Sequence, residues 1–419
     1  MITELENERL VRVGSGTPMG ELLRRYWMPA CLSEELPSND GDPIRVRLMG
    51  EDLVAFRDST GSVGLIGALC PHRGAPLFLG RNEECGIRCV YHGWKFDTSG
   101  NCVDMPSESR ETFKLRIKAL SYPTWEGGGI VWTYMGPPER TPSPPAYEWL
   151  RTPPQFLRVS KTGEACNFLQ GLEGGIDTAH VSFAHNNDMS TQTLLKTDLH
   201  PSLELDRTPY GYRYAGIRTL ADEKQYVRVN LLILPLQQLR VQPMEGMSEA
   251  AYAAGHIWVP IDDENTFVYN TLYCQDGSSN PISDSEWEMY EAWFGRGKDD
   301  YHPNSYWLRA DGSNDFMIDR DLQRRKTFTG ITGVNTQDFA IQVGMGPIVD
   351  RTKEHPGTTD RAILSARRIY FDLMNAVEAG EDPTGLEPES HQDLRAAEGI
   401  IPKGEAWRDA LKEDLCSMW

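Results

Sequence analysis

The chain has no run approaching the about eighteen consecutive apolar residues that a membrane-spanning helix requires. Its first residues, MITELENERLVRV, are acidic and lack the apolar core of an export signal, so the sequence predicts a cytoplasmic protein. Basic charge is scarce too: 42 Lys and Arg stand against 61 Asp and Glu, a formal net charge of −19. A nucleic-acid binder or a reader of anionic membranes is thereby excluded, because both need a basic surface. Repeats and low-complexity tracts are absent. No G-x-G-x-x-G opens a helix after a strand, so the sequence predicts no dinucleotide or flavin site of that kind. Cysteine is too thinly spread for a disulfide scaffold: eight in 419 residues read as reduced thiols, some of them available to a metal.

What is present is the composition of a loop-rich globular enzyme. With 39% hydrophobic residues the chain is too apolar to be disordered, and 27 Pro with 38 Gly cut it into short segments. The length suits two domains. Residues 17–27 read as a short amphipathic helix with Thr17 as N-cap and Pro18 at its first position. Residues 43–57 alternate apolar and polar around Gly50-Glu51-Asp52, a hairpin pattern, and short strand-like segments follow to about Met135. The Pro-rich stretch MGPPERTPSPP marks a boundary, giving domains over 1–145 and 146–419. In the second, residues 167–185, 284–296 and 358–378 are predicted helical, the last capped by Thr358 or Thr359. Residues 211–219, 226–235 and 254–274 read as strands, so this half is predicted to be α+β, a sheet backed by helices.

Two constellations carry chemistry. In the first, Cys70-Pro-His72 is followed sixteen residues later by Cys89-Val-Tyr-His92. Two thiolates and two imidazoles on two loops suit a structural zinc. They suit equally a [2Fe–2S] cluster in which His replaces Cys on one iron, as in Rieske centres. Cys-x-His is an unusual zinc spacing, and Gly93, Trp94 and Phe96 fit a loop folded tightly over a cluster.

The second is NFLQGLEGGIDTAHVSFAH, with Glu173, Asp177, His180 and His185. On a helix the first three share a face, while His180 and His185 lie about 140° apart. For both histidines to reach one metal, the helix has to end, bulge or bend between them. Two His with a carboxylate, leaving open positions for oxygen, form the facial triad of non-haem Fe(II) oxygenases.

These motifs carry a resemblance to a known family. C-P-H-R-G-A-P-L and C-x-Y-H-G-W-x-F-D-x-x-G resemble the signature of Rieske [2Fe–2S] domains in ring-hydroxylating oxygenases, and Asp-x-x-His-x(4)-His resembles that family's iron-binding motif. With the opening RVGSGTPMGELLRRYWMPACLSEELP and the tail GMGPIVDRTKEH, the likeness covers essentially the whole chain and points to the phthalate-dioxygenase branch. It implies an all-β Rieske domain joined to a catalytic domain in which helices pack over an antiparallel sheet. It implies that Cys70 and Cys89 hold one iron of the cluster and His72 and His92 the other, whereas Cys85 and Cys102 match no ligand position. His180 and His185 become ligands of a mononuclear Fe(II). The third ligand is an Asp far downstream, best matched by Asp338, with Asp350 in DRTKEH as the fallback. Asp177 takes a catalytic role, hydrogen-bonding a ligand His of its own chain and a Rieske His of the neighbouring subunit. That implies a homotrimer or a dimer of trimers. Glu173 matches no ligand position and is expected to be solvated or structural.

The activity implied is that of the terminal oxygenase component of a multicomponent system. It uses O2, and electrons from a separate flavin and iron–sulfur reductase, to cis-dihydroxylate an aromatic carboxylate of the phthalate or substituted benzoate type. The alternative is an O-demethylase or monooxygenase with the same metal centres. A carboxylate in an apolar pocket needs a cationic partner, and Arg207, Arg218 and Arg240 are the candidates.

Overall fold

A computed structural model describes residues 2–417 except 192, 243–251, 276–280 and 393. The alternating run near the N-terminus closes as a hairpin in which Ile44–Leu48 pairs with Glu51–Arg57. Leu48 faces Glu51, so the turn falls on Met49 and Gly50 rather than on Gly50-Glu51-Asp52. Val63–Gly67 and Ser121–Tyr122 complete this four-stranded sheet. A three-stranded sheet places Ile130–Tyr134 between Trp27–Leu32 and Thr124–Gly127. A third sheet of short strands, Arg81–Asn82, Ile87–Arg88, Lys95–Phe96 and Cys102–Asp104, carries the Cys/His loops. Every pairing is antiparallel, and Val54, Phe56, Ile66, Leu77, Ile87 and Phe96 fill the core beneath those loops.

The second half is built on an antiparallel sheet in the order Leu157–Glu164, Thr266–Cys274, Tyr252–Pro260, Gln237–Val241, Lys224–Ile233, Gly211–Thr219 and Ser202–Thr208. Gln237–Val241 is short and covers only one end of Lys224–Ile233, and Ala397–Pro402 pairs with the remainder. The helices Phe168–Ile176, Asp284–Phe294, Val334–Gly344 and Arg361–Glu378 flank the sheet. Small residues let the first of them sit down on a strand. A Cβ on Gly171 would lie 2.4 Å from Trp258, and one on Gly175 2.1 Å from the same ring.

Several helix ends differ from their predicted positions. Thr17 caps as predicted, accepting from the Gly20 amide at 3.2 Å, but the helix is only Pro18–Leu23, because Trp27 already belongs to a strand. The predicted helix over 167–185 stops at Ile176. Asp177 leaves helical geometry with ψ 131° and turns its carboxylate onto the amides of Ala179 (2.7 Å) and His180 (3.3 Å). A side chain that competes for backbone donors in this way ends a helix. His180–Ser182 then forms a separate 3-10 turn. Thr358 and Thr359 lie in a 3-10 turn ahead of Arg361–Glu378 and do not cap it. The N-terminal helices Glu4–Val11 and Pro18–Leu23 pack on the second half: Arg9 of the first reaches Glu378 at 2.9 Å, and just past the second the Tyr26 hydroxyl donates to the Thr384 carbonyl at 2.6 Å.

Candidate metal centres

The two Cys/His loops fold alike. The Cys70 amide donates to the Ala75 carbonyl at 2.8 Å and the Gly74 amide to the Cys70 carbonyl at 2.9 Å. The Cys89 amide donates to Trp94 at 2.8 Å and the Gly93 amide to Cys89 at 2.9 Å. Each turn needs positive φ where it closes, which Gly74 (73°) and Gly93 (78°) supply without a Cβ penalty. Cys70 and Cys89 are each 2% exposed, and burial pushes the Cys70 thiol up to about 11. A thiol raised in this way is deprotonated readily only when a metal binds it. The His72 and His92 rings meet edge-on at 4.5 Å, and His72 stacks on Trp94 at 4.2 Å. His92 Nδ1 is buried without a partner among the described residues, the state of a nitrogen that a metal would satisfy. The donor set therefore fits a cluster held by two thiolates and two imidazoles. Cys102 is buried with its thiol on the Asp104 carbonyl, and Cys85 is exposed in a turn.

In the second half the helix end, the 3-10 turn and a distant helix converge. His180 Nε2 and His185 Nε2 are 3.2 Å apart, and Asp338 Oδ1 lies 3.5 Å from the first and 3.2 Å from the second. Three ligand atoms this close, all partly buried, fit a single metal ion. Burial would raise the Asp338 carboxyl, but the two histidines outweigh it and hold it below its ordinary value. Asp350 is elsewhere. It caps the turn Arg351–Lys353, with its carboxylate on Thr352 and Lys353.

Sequence reasoning missed Gln337. Its amide nitrogen donates to Asn187 Oδ1 (2.7 Å) and to the Ile331 carbonyl (2.9 Å), so its oxygen faces His185 Nδ1 at 2.9 Å. The proton is thereby fixed on Nδ1, and the Nε2 lone pair is aimed at the site. The only signal in the sequence was adjacency to Asp338.

Asp177 Oδ2 sits 3.4 Å from His180 Nδ1, an ion-pair distance without hydrogen-bond alignment. Burial would raise this carboxyl, but His180 and the two amides hold it below its ordinary value. It lines both a cavity of about 820 Å³ and a groove of about 350 Å³ behind it. Glu173 is structural, not solvated. It is 8% exposed, with Arg367 on Oε1 at 2.6 Å and Arg351 on Oε2 at 3.0 Å. Arg367 also reaches Glu354 at 2.7 Å, so DRTKEH is tied to the iron-site helix through this hub.

Arg218 and Arg240 line the larger cavity, together with His180, His185, Asp338 and Trp258. Among the described residues neither has a carboxylate partner. Arg218, 1% exposed, donates to the Thr178 carbonyl at 2.6 Å and leaves Nε without a partner. Arg228, which sequence reasoning missed, lines the same cavity but pairs with Glu398 at 3.6 Å. Arg207 is not in the wall: its side chain is 66% exposed and lies 3.7 Å from Asp372.

The family description "Rieske [2Fe-2S] domain" matches residues 26–123, and "LigXa C-terminal domain like" matches residues 133–416. The oxygenase subunit of phthalate 4,5-dioxygenase from Pseudomonas putida is 39% identical, over 98% of this chain and 94% of its own length. The chain belongs to the Rieske oxygenases. It is an oxygenase subunit of that family, an oxidoreductase with a Rieske cluster and a mononuclear iron, served by a separate reductase and by O2. The oxygenase subunit of 3-chlorobenzoate-3,4-dioxygenase from Comamonas testosteroni is 37% identical over 98% of both chains. NdmA of Pseudomonas putida CBB5, solved as a QL mutant with caffeine, shares the fold at 18% identity, with a TM-score of 0.62 over 93% of this chain and all of that one. Among the described residues no helix is long and apolar enough to cross a membrane.

Proposed function

We propose that this Rieske oxygenase cis-dihydroxylates an aromatic carboxylate of the phthalate or substituted benzoate type. The observation that carries the reading is a cavity shared by the His180, His185 and Asp338 triad and by two arginines, Arg218 and Arg240, that have no carboxylate partner among the described residues. A buried guanidinium without a counter-ion is costly until an anion arrives, and a carboxylate meets it with two parallel hydrogen bonds. Two relatives aligned over nearly the whole chain are named for phthalate and chlorobenzoate oxygenation, which supports the same class.

In this reading Cys70, His72, Cys89 and His92 hold the cluster, and His180, His185 and Asp338 hold the Fe(II). When bound, the cluster supplies single electrons and the iron supplies oxygen activation. The chain's own residues do the rest. Arg218 and Arg240 orient the substrate carboxylate, Trp258 and Phe339 of the cavity wall receive the ring, and Gln337 keeps His185 in one tautomer. Asp177 stands beside the His180 ring and lines the neighbouring groove, where a Rieske histidine of a neighbouring subunit would hydrogen-bond to it. Three or six chains per particle in solution follow from that role. The Pro-rich stretch ending at 145 divides the two domains, and thinly spread cysteines that read as reduced thiols fit a cytoplasmic setting.

The test is a single turnover of the reduced holoenzyme with 18O2 and a panel of phthalates, benzoates and methoxybenzoates, read by mass spectrometry. A diol carrying both labelled atoms is expected. Formaldehyde with a free phenol would make the enzyme a demethylase instead.

A further inference from the structure

We infer that His256 is a positioning residue that holds Arg240 in place as the carboxylate clamp of the cavity. The inference rests on the aromatic-carboxylate reading for its consequence, but its geometry stands apart from it. Arg240 Nη2 lies 3.1 Å from His256 Nε2. A guanidinium has no acceptor, so Nε2 accepts and the ring proton must sit on Nδ1. Nδ1 in turn donates to Asn270 Oδ1 at 2.8 Å. The Asn270 amide is itself oriented, because its nitrogen donates to Ser160 Oγ (3.2 Å) and Thr162 Oγ1 (3.4 Å). A second arm comes from Gln238, whose Oε1 accepts from Arg240 Nη1 at 3.2 Å.

This row crosses four consecutive strands. Ser160 faces Asn270, Asn270 faces His256, and His256 faces Gln238 in register. Asn270 and Gln238 are each 2% exposed and His256 5%, so the row lies in a sheet interior that apolar residues would otherwise fill. Buried polar groups of this kind specify one arrangement only if all are satisfied. Here the chain of donors starts at the Arg240 guanidinium, which lines the cavity, and runs back through the sheet to Ser160 and Thr162. Burial, with Arg240 and Arg296 nearby, pushes the imidazole well below its ordinary value, so it remains a neutral acceptor. The same histidine protonated would repel the arginine it supports.

The experiment is a double-mutant cycle on the holoenzyme, with Kd from equilibrium dialysis of phthalate, benzoate and benzamide. The variants are His256→Leu, His256→Gln, Arg240→Met and the Leu/Met pair. Arg240→Met is expected to weaken the acids about a hundredfold and benzamide little. His256→Leu should weaken the acids about tenfold, His256→Gln should recover most of that because its oxygen stands where Nε2 was, and His256→Leu should add nothing in the Arg240→Met background. An equal loss in both backgrounds, or a Gln variant as poor as the Leu variant, would overturn the inference. If the wild type holds benzamide as well as benzoate, or neither, the carboxylate reading fails separately. Crystal structures of the two His256 variants then decide the positioning role. Arg240 displaced in the Leu variant and kept in the Gln variant supports it, and Arg240 unmoved in both sinks it.

Discussion

The two Cys/His loops and the His/His/Asp site reach similar ends by different routes. Each loop is a short self-contained turn whose own amides and glycine set the direction of its ligands, and the second loop repeats the first. The triad has no such local frame. His180 and His185 come from a turn that exists because Asp177 ended a helix, and Asp338 comes from a helix far along the chain. Gln337 is needed to orient one of the histidines. A locally coded site tolerates much around it, whereas an assembled one depends on residues that never touch the metal.

The sharpest test of that difference pairs Cys70→Ser with Asp338→Ala. The first should remove the visible Rieske absorption and leave the catalytic domain folded by circular dichroism. The second should keep the Rieske spectrum while iron analysis falls to that of the cluster alone and turnover drops at least about a thousandfold. Next comes Asp177→Asn. We expect both metals retained and steady-state turnover down about a hundredfold, with reductase-dependent cluster reduction unchanged in stopped flow. Normal turnover in that variant would remove the bridging role. Gln337→Leu should weaken mononuclear iron about tenfold to a hundredfold, measured by chelator competition, and leave the cluster alone. Unchanged iron affinity would mean that the triad holds its metal without Gln337.

A smaller effect concerns the two buried glutamates near the iron-site helix. Glu173 has its arginines, whereas Glu164 is 1% exposed, has one oxygen on the Cys166 thiol at 3.4 Å, and is pushed up to about 8 by burial. A carboxyl raised in the fold stabilises the protein below its unfolded value of 4.5, and that contribution is lost as pH rises through about 8. Glu164→Gln should therefore gain on the wild type in melting temperature as pH goes from 5 to 8. A constant difference across that range would contradict it.

Much of this was legible in the sequence because it was local. The paired Cys-x-His and Cys-x-x-His spacings, the Thr17 cap and the alternation of the sheet strands each lie within one turn or one strand. The helix end at Asp177 was not, since the apolar pattern of FLQGLEGGI continues beyond it and only the carboxylate's choice of amides stops it. The arginines show the same limit. Arg207, Arg218 and Arg240 look alike in sequence, and the difference lies in which carboxylates the fold brings near: Asp372 to the first, none among the described residues to the others. Arg228 was passed over, and only the pairing of Lys224–Ile233 with its neighbours puts it on the cavity face.

The triad comes from the middle of the helix Val334–Gly344 and from the turn and loop that follow Phe168–Ile176, a ceiling to the cavity, while the arginines and the polar row that steadies Arg240 sit on strands that form its floor. Lineages can thus exchange the floor without disturbing the ceiling. Swapping a strand residue changes which molecule is admitted and leaves the oxidation itself untouched, so new diets can arise by few substitutions from an unaltered reaction centre.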